Sequence, residues 1–181
     1  MKKTGFILSI FIFASISVCA QGKYFTKSGK ITFFSSTPAE DIEAINKSVS
    51  VVLDPKTGDL QFAVLMKGFE FKKALMQEHF NDRHVESDKF PQSDFKGKIT
   101  NNSEIRYDKN GTYSASVKGS MTIHGVTKEI ETSGTITVKN GKVDTHSVFN
   151  ILLVDYNVKH SDKVAKSIRI TVDCPLEPLG Q

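Results

Sequence analysis

The chain has 181 residues and a formal net charge of +4, from 24 Lys and Arg against 20 Asp and Glu. Two of the basic residues, Lys2 and Lys3, stand at the amino terminus, and the remaining 22 nearly balance the acidic ones. No basic stripe interleaved with aromatic residues occurs, which argues against nucleic acid as a partner.

The first twenty residues have the layout of a secretory signal peptide. Two lysines precede an uncharged run over residues 5–18 that is rich in Ile and Phe, and Ala20 offers a small residue for cleavage. This run is shorter than the roughly 20 apolar residues that span a bilayer. A lipoprotein cleavage box that would lipidate Cys19 is the alternative, although Val18 stands where Gly, Ala or Ser is expected. We expect cleavage near Ala20, with residues 21–181 exported to the periplasm, or secreted, as one domain.

Cleavage would remove Cys19 and leave Cys174 without a disulfide partner in the chain. Cys174 follows Ile168, Ile170 and Val172 at a period of two. This spacing places it on the core face of a strand, where it acts as a small hydrophobic residue.

Eight segments of the remaining chain alternate between apolar and polar residues, as half-buried strands do. They are 24–34, 45–54, 59–67, 94–105, 112–123, 127–138, 142–153 and 167–174. Several connections are short: Asp54 to Gly58 forms a turn with Pro and Gly, and Asn110-Gly111 and Asn140-Gly141 favour two-residue hairpins. Consecutive hairpins predict an all-β fold, an antiparallel up-and-down barrel of eight strands. A two-sheet sandwich is the structural alternative.

One short helix is predicted between strands three and four. In the segment 69–80, Leu75, Met76, His79 and Phe80 stand at spacings of one, three and four, which is typical of one helix face. We expect this apolar face to cover an open end or side of the barrel.

Small residues recur among the inward positions at mid-strand, namely Gly97, Ala115, Gly119, Gly134 and Ser147. An eight-stranded barrel holds one small ligand when its inward side chains do not fill it. Several small positions together predict empty, apolar volume. The alternative is that the glycines only allow the strands to bend.

The segment from Met121 to Lys128, which reads Met-Thr-Ile-His-Gly-Val-Thr-Lys, resembles the YceI-like family of exported polyisoprenoid- and lipid-binding proteins. The stretch 87–91, Ser-Asp-Lys-Phe-Pro, is the next most specific similarity. The other matching pieces are 33–42 with Ser36 and Ala39-Glu40, Leu53-Asp54-Pro55 with Thr57-Gly58, Met66 to Phe69, His79-Phe80, Glu86, and Phe95-Lys96-Gly97.

The resemblance implies a lipocalin-like barrel with an elongated apolar pocket for an isoprenoid or fatty amphiphile, and a periplasmic location. True lipocalins are less similar, because their Gly-x-Trp near the first strand is impossible in a chain without Trp. The stretch 155–162 departs from the family, since Lys159-His160-Ser161 is polar where relatives are more apolar. If this loop lines the pocket mouth, the ligand preference differs.

The candidate groups for chemistry do not form a recognisable site. His79 and His84 flank Asp82, but a spacing of five does not stack two imidazoles on one helix face, so a surface charge cluster is favoured over a metal site. No nucleophile elbow, Cys-His pair or metalloprotease motif occurs. We predict no metal, no cofactor and no catalytic residue, with His124 stabilising its hairpin turn.

The leading hypothesis is non-catalytic binding of one long apolar amphiphile, a polyisoprenoid or fatty-acid-like lipid, for transport, storage or sequestration. Two alternatives stay open: an enzyme acting on an isoprenoid lipid, and a packed barrel that serves as a secreted stress or interaction protein. Transient membrane contact and a homodimer also stay open. The candidate pocket-lining residues are Phe62, Val64, Met66, Phe69, Leu75, Met76, Phe80, Phe95, Ile99, Tyr113, Ala115, Val117, Gly119, Met121, Ile130, Ile136, Ser147, Phe149 and Ile151.

Overall fold

Antiparallel pairing joins nine strands into one sheet in the computed structural model, which describes residues 22–38, 40–159 and 165–179. The predicted signal peptide lies outside the described residues. The strands are β1 Tyr24–Ser36, β2 Asp41–Leu53, β3 Asp59–Leu65, β4 Phe69–Phe71, β5 Gln92–Ile99, β6 Gly111–Ile123, β7 Val126–Lys139, β8 Lys142–Leu152 and β9 Ser167–Pro178.

The sheet closes on itself as a barrel of eight strands. Apart from the short β4, each strand pairs with the next along the chain, with β3 pairing β5, and β1 pairs with both β2 and β9, so the first and last strands meet. The three-residue strand β4 continues β3, because both run along β2. This topology confirms the predicted up-and-down barrel and excludes the sandwich.

A buried asparagine accounts for the break between β3 and β4. Asn46 of β2 is fully buried, and its amide nitrogen donates to the carbonyl of Leu65 at 2.9 Å. Its side-chain oxygen accepts the amide of Ser48 at 2.9 Å. The chain from Met66 to Gly68 passes this side chain as a single 3₁₀ turn. A Cβ on Gly68 would lie only 2.8 Å from the Asn46 amide nitrogen, so this close passage depends on glycine.

The predicted helix is present but shorter than its segment. Helix α1 spans Ala74–His79 and continues into a π-helical turn over Phe80–His84, between β4 and β5. Residues 69–71 extend the sheet instead of the helix. Within the described ranges, no helix has the length and apolar character that crossing a bilayer requires.

The connection between β5 and β6 differs from the predicted hairpin. Strand β5 ends at Ile99, and the predicted continuation to residue 105 is wrong. Ile105 and Tyr107 keep the period-two spacing, but they are buried over the end of the barrel, where the Tyr107 hydroxyl donates to the Asn102 side-chain oxygen at 2.8 Å. The loop closes this end, so Asn110-Gly111 is not a two-residue hairpin. Both Asn140 and Gly141 have positive φ, as the type I′ hairpin requires.

The barrel is solid at one end and hollow at the other. Around the loop just described, Leu53, Ile99, Val143 and Leu176 are at most 2% exposed and fill the space between the walls. Cys174 belongs to this packed end, and burial raises the pKa of its thiol to about 12. Towards the other end, inward apolar side chains stay half-exposed although they point at the axis: Val117, Met121, Ile130 and Phe149.

Candidate ligand-binding cavity

The hollow half of the barrel encloses a cavity of about 490 Å³. Inward residues of the eight barrel strands form its wall, and one end is covered by α1 and the turn that follows it. Small-molecule sites in proteins occupy roughly 300–1,000 Å³, so this space is large enough for a ligand.

Most of the predicted pocket residues lie on the wall of this cavity. Ligand contact by them stays a prediction. Those on the wall are Phe62, Val64, Met66, Phe69, Leu75, Met76, Phe80, Phe95, Ile99, Ala115, Val117, Met121, Ile130, Ile136, Ser147, Phe149 and Ile151.

The structure places Tyr113 and Gly119 away from the cavity. Tyr113 lies towards the packed end, where its hydroxyl donates to the carbonyl of Lys109 at 3.0 Å. Gly119 faces Gly97 across the β5–β6 pair, and the Phe95 ring covers both glycines. A Cβ on Gly119 would lie 2.4 Å from the Gly97 Cα and 2.9 Å from the tip of the Phe95 ring. These two glycines therefore admit an aromatic ring and create no empty volume.

Part of the cavity wall lies outside the set of residues predicted from the sequence. Strands β1 and β9 contribute apolar side chains that alternate inwards, and the loop after β8 adds two more; these residues are Ile31, Phe33, Ile168, Ile170, Val172, Leu153 and Val158. The alternation of Ile31 with Phe33, and of Ile168 with Ile170, is visible in the sequence and could have identified them.

Four phenylalanine rings close the cavity beneath the helix. Phe33, Phe69, Phe71 and Phe80 lie with ring centroids 5.0–5.7 Å apart, in tilted, stacked and edge-on pairs. Aromatic pairs at such distances add about 0.5–1.5 kcal/mol beyond the burial of their surface. The cluster therefore fixes the π-helical turn to β1 and β4.

The polar groups of the wall are largely engaged with the protein itself. The Ser147 hydroxyl donates to the Ser133 carbonyl at 2.7 Å, and the Thr145 hydroxyl lies 3.4 Å from the Cys174 carbonyl. The hydroxyl of Ser93, which is buried, donates to the sulfur of Met66 at 3.0 Å. The wall therefore offers a ligand mostly hydrocarbon, which suits a long apolar chain better than a compact polar molecule.

Charged and titratable groups lie at the helix end of the cavity. Lys73, just before α1, forms an ion pair with Glu40 from the β1–β2 connection. His79 is also on the wall there, and the His84 Nδ1 lies 2.7 Å from the Lys159 carbonyl. Of the polar stretch 159–161, only Lys159 lies within the described residues. These groups can meet the polar end of an amphiphile whose chain lies deeper.

His124 acts as a structural clamp. It sits with Gly125 in a type I′ turn, both at positive φ. Its Nε2 lies 2.8 Å from Glu86 Oε2, its Nδ1 lies 3.3 Å from the Tyr156 carbonyl, and its ring meets Phe90 edge-on at 4.4 Å. The clamp joins the β6–β7 turn to the segment after α1 and to the loop after β8.

We expect His124→Ala, which removes the donor to Glu86, to release the carboxylate of Glu86. The hydrogen bond from His124 lowers the pKa of Glu86, so this bond contributes stability above the ordinary Glu pKa and loses it as pH falls through the lowered value. In the variant the Glu86 pKa should return towards its ordinary range, as an NMR titration of the side-chain carboxyl would measure. An unchanged Glu86 pKa would contradict the clamp; Asp173, paired with His146, serves as the internal reference.

Within the described ranges, no three His, Cys, Asp or Glu side chains come close enough together to hold a metal ion. Of the two histidines of the predicted surface cluster, His84 lies 2.7 Å from the Lys159 carbonyl and His79 lies on the cavity wall. The distinguishing features of the site are its volume and its apolar wall.

A closed antiparallel barrel of eight strands with an apolar internal cavity defines a class of container-like β-barrel proteins. Within this class, the chain belongs to the YceI-like domain family, whose model matches residues 17–176. The predicted family resemblance is thus confirmed. No curated protein sequence matches the chain.

Solved structures share the fold at low sequence identity. A polyisoprenoid binding domain from Saccharophagus degradans, implicated in plant cell wall breakdown, has a TM-score of 0.76 at 10% identity, over 87% of this chain and 99% of that one. BcnA of Burkholderia cenocepacia has a TM-score of 0.67 at 18% identity, over 82% and 95%. The YceI protein of Campylobacter jejuni has a TM-score of 0.55 at 14% identity, over 96% and 91%.

Proposed function

We propose that this protein binds one long apolar amphiphile, a polyisoprenoid or a fatty-acid-like lipid, inside the barrel cavity. The observation that carries the proposal is the hollow half of the barrel, where inward apolar side chains stay half-exposed around about 490 Å³ of space. One structural relative is a polyisoprenoid binding domain, which supports the same class of ligand.

The energetics favour a long chain over a short one. Each buried methylene contributes about 0.8 kcal/mol, so one isoprene unit contributes about 3–4 kcal/mol before costs. Association costs an estimated 4–15 kcal/mol in lost freedom of motion. Several units must therefore be buried before binding is measurable.

The side chains of the cavity wall support binding of the lipid without catalysis. Its Ser147 and Thr145 hydroxyls are directed at backbone carbonyls instead of at a histidine. The cavity volume also argues against a fully packed barrel that works through its surface alone. Transport, storage and sequestration are the roles that such a container can serve.

We further propose that the protein acts in the periplasm, or outside the cell, after loss of residues 1–20. The signal-peptide layout of that segment supports this location. Transient contact with a membrane while lipid is collected or delivered, and formation of a homodimer, stay predictions.

Titration of delipidated protein with prenols of increasing length tests the proposal. Affinity should rise with each added isoprene unit until the chain fills the cavity, because each unit adds buried apolar surface. Fatty acids of matched carbon number serve as the comparison for head-group preference. Affinity that does not depend on chain length, or the absence of binding, would contradict the proposal.

A further inference from the structure

The wall of the barrel is incomplete between β7 and β8. Strand β7 pairs with β6 from end to end, and β8 pairs with β9 from Val143 to Leu152. In contrast, β7 and β8 pair only from the hairpin up to Gly134 and Ser147. Beyond that point, residues 126–133 and 148–152 form two strand edges that do not meet.

Specific contacts stabilise the point where β7 and β8 separate, which we call the fork. The Ser147 hydroxyl donates to the Ser133 carbonyl at 2.7 Å. In an unbroken ladder Val148 would face Ser133, so the side chain of Ser147 takes the place of a backbone donor. A Cβ on Gly134 would lie 2.4 Å from the His146 carbonyl, which shows how tightly the last pair is closed. The separation therefore begins at a defined residue and is not fraying of a strand end.

The cavity reaches the outer surface at this fork. Thr135 and His146 face outwards, as the bond from His146 Nδ1 to Asp173 on the outer surface shows at 2.7 Å. Both nevertheless line the cavity, together with the inward-facing Thr132 and Phe149. The cavity therefore extends to the gap between β7 and β8.

The far end of the fork is closed. The 3₁₀ turn Leu153–Tyr156 follows β8 directly, and the Tyr156 carbonyl lies 3.3 Å from Nδ1 of His124, next to the start of β7. We call the opening enclosed by residues 126–133, 148–152 and this turn the lateral window. It is bounded by the last β7–β8 pair, by the two strand edges and by the 3₁₀ turn, so its size is set by the fold.

The outer margin of the lateral window is unusually apolar. Six large apolar side chains are highly exposed within the described ranges, and three of them belong to this margin: Val148 at 49%, Leu152 at 48% and Val154 at 64%. Outward positions of a barrel in water are ordinarily polar, as Glu129 and Glu131 are on the opposite edge. An apolar margin lowers the cost of moving a hydrocarbon chain between the cavity and the outside.

We propose that the lateral window is the portal through which a lipid chain enters and leaves the cavity. The proposal rests on the proposed function and adds the route to it. The chain passes sideways between β7 and β8, over Val148 and Leu152, while α1 and the four phenylalanine rings stay in place at the barrel end. The clamp at His124 holds the 3₁₀ turn Leu153–Tyr156 in place, so the lipid chain can pass without unfolding of the barrel.

Cross-linking across the lateral window tests the route. Glu131 and Asn150 are both exposed and stand opposite each other in the register that an unbroken β7–β8 ladder would have. The variant Glu131→Cys/Asn150→Cys, in a Cys19→Ser background, is loaded with a dansyl-labelled fatty acid and then linked with a short bismaleimide. Cys174 can stay, because it is buried and burial raises its thiol pKa.

The matched control links two strands that already pair. Lys118 and Glu131 are direct partners across β6–β7, so Lys118→Cys/Glu131→Cys carries the same linker on an intact wall. Linking 131 to 150 should slow release of the probe by about tenfold or more, since the linker obstructs the route of the lipid chain, while 118 to 131 changes it less than about twofold. The amount of probe bound at saturation should be equal in both.

Two other outcomes overturn the proposal and are distinguishable. Equal release rates in the two linked proteins, with full probe bound, would mean that lipid leaves elsewhere, past α1, and would leave the proposed function intact. Failure of the unlinked protein to bind the probe would overturn the route and the proposed function together.

Discussion

Replacing Val117 by Trp should reduce lipid affinity by about a hundredfold or more while the barrel stays folded. Val117 is half-buried on the cavity wall at the middle of β6, and its side chain points into empty space. An indole there takes up space that about one isoprene unit would fill, and that unit contributes about 3–4 kcal/mol. Overpacking strain should be small because the site is hollow. Fluorescence titration with a labelled lipid measures the loss.

The matched control for this variant is the neighbouring outward position. Ser116 is exposed on the other face of β6, so Ser116→Trp adds the same indole without entering the cavity. Its affinity should equal that of the wild type. A folded Val117→Trp variant with unchanged affinity would show that lipid, if bound, lies outside the cavity.

Gly119→Ala should destabilise the barrel by about 3 kcal/mol or more, the upper range for overpacking of a core. The added Cβ would meet backbone atoms, 2.4 Å from the Gly97 Cα and 2.5 Å from the Lys96 carbonyl, and neither can rotate away. Relief requires separation of β5 from β6 or displacement of the Phe95 ring. Urea denaturation, followed by circular dichroism, measures the change in unfolding free energy.

Gly111→Ala is the control for this second prediction. It lies at the start of the same strand, where the atom nearest to its Cβ would be the Tyr113 side-chain hydroxyl at 3.2 Å. We expect its unfolding free energy to stay within about 0.5 kcal/mol of the wild type, as for most surface substitutions. A similar small effect at Gly119 would contradict the close packing of the two glycines under Phe95.

The barrel could be predicted from the sequence because its determinants are local. Alternation along each strand separates inward from outward side chains, and Asn140-Gly141 specifies a type I′ hairpin by its torsions. The loop after β5 could not be predicted in this way. Ile105 and Tyr107 keep the spacing of a strand, but they pack across the barrel end, and only the tertiary structure distinguishes the two arrangements.

The cavity could be predicted in outline, but only some of the small inward residues border empty space. Gly134 and Ser147 do line open space, whereas Gly97 and Gly119 are covered by the ring of Phe95. A strand glycine that borders empty space and one that is covered by an aromatic ring look the same in the sequence, because the sequence does not show which aromatic side chain packs over it. Empty volume depends on all the inward side chains together.

The sequence of β7 and β8 does not show where their pairing ends at the lateral window. Residues 126–133 and 148–152 stay in extended strands like the paired parts of β7 and β8, because each still pairs with its other neighbour. The nearest signal is the exposed position of Val148 and Leu152, which alternation assigns to the outer face despite their apolar side chains. Outward apolar residues on a barrel strand therefore merit attention in sequences of this kind.

Native mass spectrometry of protein purified without detergent tests the central claim most directly. We predict a folded species whose mass exceeds that of the polypeptide by one lipid molecule, released on organic extraction and absent from the Val117→Trp variant. A polypeptide mass alone under gentle conditions, in protein that also fails to take up added prenols, would contradict the account.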